Sequence, residues 1–117
     1  ERERVVQVLR AIGGEGAVEL VRGALQDPAA AVRAAAAESL GAMNDIEEHG
    51  IADLAVALFD QEPAVREAAI DALKAIGPDA DVALPALRAV AKSDPEQRIR
   101  HKARDTVERI EGYTRGR

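Results

Sequence analysis

Four segments of the chain repeat one another in register, and that repetition limits the possible folds more than any other feature. The segment 32-VRAAAAESLGAM-43 aligns with 65-VREAAIDALKAI-76, and 99-IRHKARDTVERI-110 aligns with both; their first residues, Val32, Val65 and Ile99, are 33 and 34 positions apart. The opening 1-ERERVVQVLRAIG-13 falls into the same register, with Arg2 on Arg66, Leu9 on Leu73 and Ile12 on Ile76. Small or apolar residues recur at offsets 0, 3, 4, 8 and 11, which in the clearest copy are Val65, Ala68, Ala69, Leu73 and Ile76. That spacing forms one face of an α-helix. A unit this short cannot bury such a face alone, whereas stacked copies can.

Three further helical patterns alternate with these, near Ala17 to Leu25, Ile51 to Phe59 and Val82 to Val90, so each unit is a pair of helices. Asp27, Asp60 and Asp94 each stand five residues before the first stripe residue of a second helix, where a carboxylate can cap exposed N–H groups. Pro28, Pro63 and Pro95 lie where a missing N–H costs little. Gly13 and Gly77 suit a left-handed residue that ends a helix, Asn44 substitutes for glycine in the second copy, and Gly41 lies inside the helical register. Pro85 fits the first turn of its helix. Gly23, in the middle of a first helix, costs about 1 kcal/mol against alanine if it is exposed, and a close helix approach would justify it.

Only Phe59 and Tyr113 are aromatic, so alanine, leucine, valine and isoleucine must fill the core. Small side chains let helices approach closely while keeping high helix propensity. The net charge of -5 offers nucleic acid or an anionic membrane no general attraction. Cysteine is absent, which removes disulfides and thiolate chemistry and fits a reducing, cytoplasmic setting. No apolar run approaches the roughly 20 residues that span a bilayer. A chain that lacks an initiator Met and is helical from its first residues is expected to be part of a longer protein.

The Asp-Pro, Val-Arg, small-residue run, Leu and Gly pattern reads as Asp27, Pro28, Val32, Arg33, Ala35, Ala36, Leu40 and Gly41. It reads again as Asp60, Pro63, Val65, Arg66, Ala68, Ala69, Leu73 and Gly77. The third copy keeps Asp94, Pro95, Ile99, Arg100, Ala103 and Val107, but has Lys102 at a small-residue position. The chain thus resembles the short HEAT-like repeats, including the type named after phycobilin lyases. The resemblance implies an all-α, right-handed superhelix of about three and a half two-helix units over residues 1–112, with a disordered tail at 113–117. It also implies that the once-per-unit arginines Arg2, Arg33, Arg66 and Arg100 form ladders linking turns to neighbouring helices. Arg4 and Lys102, charged at the small-residue position, fit partly exposed edges.

Offsets 2, 6 and 9 of the second helices point away from the buried stripe, towards the inner surface expected of such a solenoid. The candidate partner-binding residues are Glu38, Glu67, Asp71, Lys74, His101 and Asp105, in a mixed ridge that also holds Ala34 and Gly41. Its acidic weight suits a protein or peptide of basic character. Residues 15–97 hold 16 acidic and 6 basic side chains, and residues 98–117 hold 3 and 7, so positive charge collects on the last helix. Asp105, Glu108 and Glu111 interrupt that patch, which argues against nucleic acid.

No catalytic, cofactor or metal site is expected. Glu47, Glu48 and His49, near Asp45 and Asp53, lie in the longest connection, and a metal needs three or four converging ligands. HEAT-like iron hydroxylases carry repeated His-Glu pairs, whereas the comparable position here has His101 followed by Lys102. These residues point to a protein-binding or scaffolding module. The alternatives are a lyase-like or regulatory subunit of an enzyme, and a purely structural repeat.

Overall fold

The computed structural model describes residue 4 and residues 15–43 and 48–115. Among these residues every regular element is helical: α1 (Glu15–Ala24), α2 (Ala30–Ala42), α3 (Glu48–Ala57), α4 (Pro63–Ile76), a 3-10 segment (Gly77–Ala83), α5 (Leu84–Ser93) and α6 (Gln97–Arg115). Apart from Arg4, which is helical and exposed, the expected helix over residues 1–13 lies outside the described residues, as do the turn at Gly13 and Asn44, Asp45 and Glu47. Helices α1, α3 and α5 are the first helices of three units, and α2, α4 and α6 the second. Each second helix packs on its own first helix, and α2, α4 and α6 also pack on one another in sequence, giving two layers of an all-α solenoid.

The core is aliphatic. Leu40, Leu54, Leu58, Ile70, Leu73, Leu87, Ile99 and Ile110 are its largest fully enclosed side chains, with alanines between them, and Phe59 is 61% exposed. Second helices bury more than the single expected stripe. Offsets 5 and 7 are also enclosed in the interior copies, by Ala37 and Ser39 and by Ile70 and Ala72. A second helix sandwiched between two others needs a wider apolar face than one resting on a single neighbour. In α6, offset 7 is the buried Thr106, whose hydroxyl donates to the Lys102 carbonyl at 2.8 Å, while offset 5 is the exposed Arg104.

The helix starts differ from the simple cap anticipated. Asp27 accepts the N–H of Ala29, Asp60 that of Glu62 and Asp94 that of Glu96, each at 2.9 Å. Ala29 and Glu62 are themselves the N-cap residues, so each aspartate closes a turn before the helix instead of capping its first turn. Pro63 opens α4, and Pro85 lies in the first turn of α5, as its spacing suggests.

Two glycines are dictated by geometry. Gly77 ends α4 with φ 81° and ψ -139°, a backbone region open to glycine and strained for other residues. At Gly41 an added Cβ would stand 2.6 Å from Ala72 Cα, so α2 meets α4 nearly backbone to backbone. Gly23 is the exposed case: it lies near the end of α1, and a Cβ there would meet nothing within 4 Å. No close approach accounts for it. The last helix continues to Arg115, into the tail expected at 113–117, because nothing in Tyr113, Thr114 or Arg115 breaks a helix before Gly116.

Candidate partner-binding face

The arginine ladder determines which surfaces remain free. Arg33 donates from Nε and Nη2 to Asp60 at 2.8 and 3.1 Å, while its Nη1 reaches the carbonyls of Asp27 and Pro28. Arg66 repeats the pattern one unit on, with Asp94 at 2.8 and 3.3 Å and the Asp60 carbonyl at 2.9 Å. Arg100 keeps the third carbonyl bond, to Asp94, at 2.6 Å. The aspartate six residues earlier thus meets the guanidinium through its main-chain carbonyl, and the carboxylate facing the fork comes from the following unit. A planar fork facing a carboxylate is the geometry that makes arginine the fitting residue here. Burial would push the Asp60 carboxyl up, but Arg33 and the Glu62 N–H hold it below its ordinary value. These arginines are therefore structural. A further link joins the first helices, Arg22 of α1 to Asp53 of α3, and has no repeat spacing that would have disclosed it.

The six candidate residues divide into two groups. Glu38, Asp71, Lys74, His101 and Asp105 are exposed on α2, α4 and α6. Glu67 is only half exposed and faces the next unit, where it pairs with Lys102 at 2.8 Å and with Arg98. Those hydrogen bonds, from Lys102 first and Arg98 second, hold the Glu67 carboxyl below its usual range, and Glu67 in turn raises the Lys102 ammonium. Lys102 also reaches Asp71 at 3.2 Å. Gly41, counted with the ridge in sequence, abuts Ala72 instead. Offsets 2, 6 and 9 thus lean towards the following unit, and what remains open is the strip above that seam.

Between α2 and α4 this strip forms a groove lined by Glu38, Gly41, Ala42, Ala68, Asp71, Ala72 and Ala75. Its floor is glycine and alanine, and both polar side chains are carboxylates. A second exposed surface was not foreseen. Phe59 stands at the end of the first-helix layer between two shallow depressions, one bordered by the Arg33–Asp60 pair and Val56, the other by Arg66, Asp94 and Ala89. Its position in the repeat, beyond the last buried residue of α3, was the available signal.

His49 is exposed, and among the described residues no three His, Cys, Asp or Glu side chains gather where they could hold a metal ion. Lys102, adjacent to His101, is engaged with two carboxylates and offers an ammonium where an iron ligand set would need an acid. None of the helices over the described residues is long and apolar enough to cross a membrane.

Comparison with known proteins agrees with this arrangement. A solved structure of human deoxyhypusine hydroxylase in complex with glycerol is similar, with TM-score 0.76 and 32% sequence identity over 93% of this chain. The chain spans 37% of that protein's length. Among curated proteins none matches. HEAT repeats match residues 1–54 and 46–108. The chain belongs to the HEAT-repeat family.

Proposed function

We propose that this chain is a protein-interaction module that receives a partner along the open strip of its second helices. The observation that carries the reading is the row Glu38, Asp71, Lys74, His101 and Asp105, exposed on three successive second helices while the residues between them pack the stack. Stacked helices hold such a row at fixed spacing, which suits an extended binding surface. Three of the five side chains are carboxylates, so the partner contributes basic residues. The cytoplasm is the compartment that suits a chain without cysteine.

The test is the affinity of the full-length protein's purified partner for the unaltered protein and for Glu38→Lys with Asp105→Lys. Both sites are exposed, so the fold tolerates the change. The expected result is a loss of affinity of about tenfold or more at low salt, shrinking as salt rises. An unchanged affinity with an unchanged melting curve removes this face from consideration.

The likeness to deoxyhypusine hydroxylase favours a second reading, in which the module belongs to, or regulates, a larger enzyme acting on a partner protein. An activity dependent on the module in the longer protein, with no binding by the isolated strip, would support it.

A further inference from the structure

At the last step between units, an ammonium lies over two carboxylates. Lys102 stands at the register position held earlier by Ala35 and Ala68, and its Nζ is 2.8 Å from Glu67 and 3.2 Å from Asp71. One step earlier, the residue equivalent to Lys102 is Ala68 and the one equivalent to Asp71 is Glu38. Ala34 takes the place of Glu67, Lys102 reaches the rim only at Asp71, and that register supplies no cation of its own. In its place lies the groove between α2 and α4, about 160 Å³, rimmed by Glu38 and Asp71 and floored by Gly41, Ala68, Ala72 and Ala75. Lys74 is exposed and does not line it.

We infer that this groove receives a lysine side chain of the bound partner, its methylene stem on the alanine floor and its ammonium between Glu38 and Asp71. The inference rests on the second-helix strip being the partner-binding face. Size narrows the choice of occupant. The space is several times the ~30 Å³ share of one water, yet below the ~300 Å³ where pockets for whole small molecules begin. Chemistry narrows it further, because the floor offers no side-chain donor or acceptor and the rim offers only acceptors. A long apolar stem ending in a cation satisfies both. The internal precedent is one ammonium shared between Glu67 and both oxygens of Asp71, the mode of lysine as a point charge and not of arginine's planar fork.

The experiment uses a blocked pentapeptide with one central lysine and its counterpart with norleucine, which keeps the stem and lacks the charge. Each is titrated into the unaltered chain and into Glu38→Gln, while the methyl resonances of Ala68, Ala72 and Ala75 are followed. The lysine peptide should shift those methyls saturably, the norleucine peptide should bind at least tenfold more weakly, and Glu38→Gln should reduce lysine binding several-fold. Absent methyl shifts, equal binding of both peptides, or indifference to Glu38→Gln would each overturn the inference. A partner whose acetylated lysines leave its affinity unchanged, but which still loses affinity on Glu38→Lys with Asp105→Lys, would refute the lysine while leaving the face in place.

Discussion

Replacing Asp94 by alanine tests the ladder at its most enclosed rung. The Arg66 and Asp94 side chains are 9% and 3% exposed, and two hydrogen bonds join them. The variant keeps the Asp60 carbonyl on Arg66 but leaves the rest of a buried guanidinium facing the space the carboxylate filled. Removing one partner of a buried pair costs about 3–5 kcal/mol, chiefly because the remaining charge is left without compensation. Loss of the turn bond to the Glu96 N–H adds about 1 kcal/mol. A total near ~5 kcal/mol is comparable with the whole stability of a small domain, ~5–15 kcal/mol, so the variant should be largely unfolded or melt far below the parent.

The assay is urea unfolding followed by circular dichroism, comparing midpoints at constant slope. The double variant Arg66→Met with Asp94→Leu serves as the control. It removes both charges, and apolar replacement of a buried pair is often neutral or stabilising, so much of the loss should return. A loss under about 1 kcal/mol for Asp94→Ala, the range of a surface pair, would refute the reasoning. So would a double variant no more stable than the single one.

Gly41→Ala puts a methyl against the Ala72 backbone and should cost about 1–3 kcal/mol despite alanine's helix propensity, read as a lowered urea midpoint; a gain would mean the helices are farther apart. Gly23→Ala should stabilise by about 0.4–1 kcal/mol in the same assay, since the added methyl meets nothing. Asp60 and Glu67 ionise below their ordinary values of 3.8 and 4.5 in the folded chain. Their contribution is therefore fully present above those values and is lost as the pH falls through the lower folded ones. Urea midpoints should decline on acidification below about pH 4.5, less steeply in Glu67→Gln than in the parent.

The fold was legible because the register of Val32, Val65 and Ile99 carries the helix period, the unit length and the alanine-lined contacts together. The ladder was legible in part. Arg33 and Arg66 recur with the aspartates, but one repeat lists the same Asp twice, as its own turn and as the next unit's acceptor, and only the stacked geometry distinguishes them. Glu67 was harder to read. Its offset on the helix is that of a free surface residue, yet Lys102 and Arg98 reach it from the next unit, and helix periodicity holds no information about which neighbour overhangs a position. Arg22 with Asp53 falls outside the repeat and left no trace in the spacing. Phe59 looked like the end of an apolar face, whereas α3 ends at Ala57 and leaves the ring beyond the layer it would have joined.

Carboxylate footprinting of the partner-bound full-length protein tests the central claim most directly. Glycine ethyl ester, coupled by carbodiimide, labels exposed Asp and Glu side chains, and mass spectrometry reads their protection. Glu38, Asp71 and Asp105 should be protected by the partner, while Glu19, Glu62 and Glu96 label as they do in the free protein. Protection of Glu19 and Glu62 with Glu38 and Asp105 still reactive would contradict it and move the interface to the first-helix layer around Phe59.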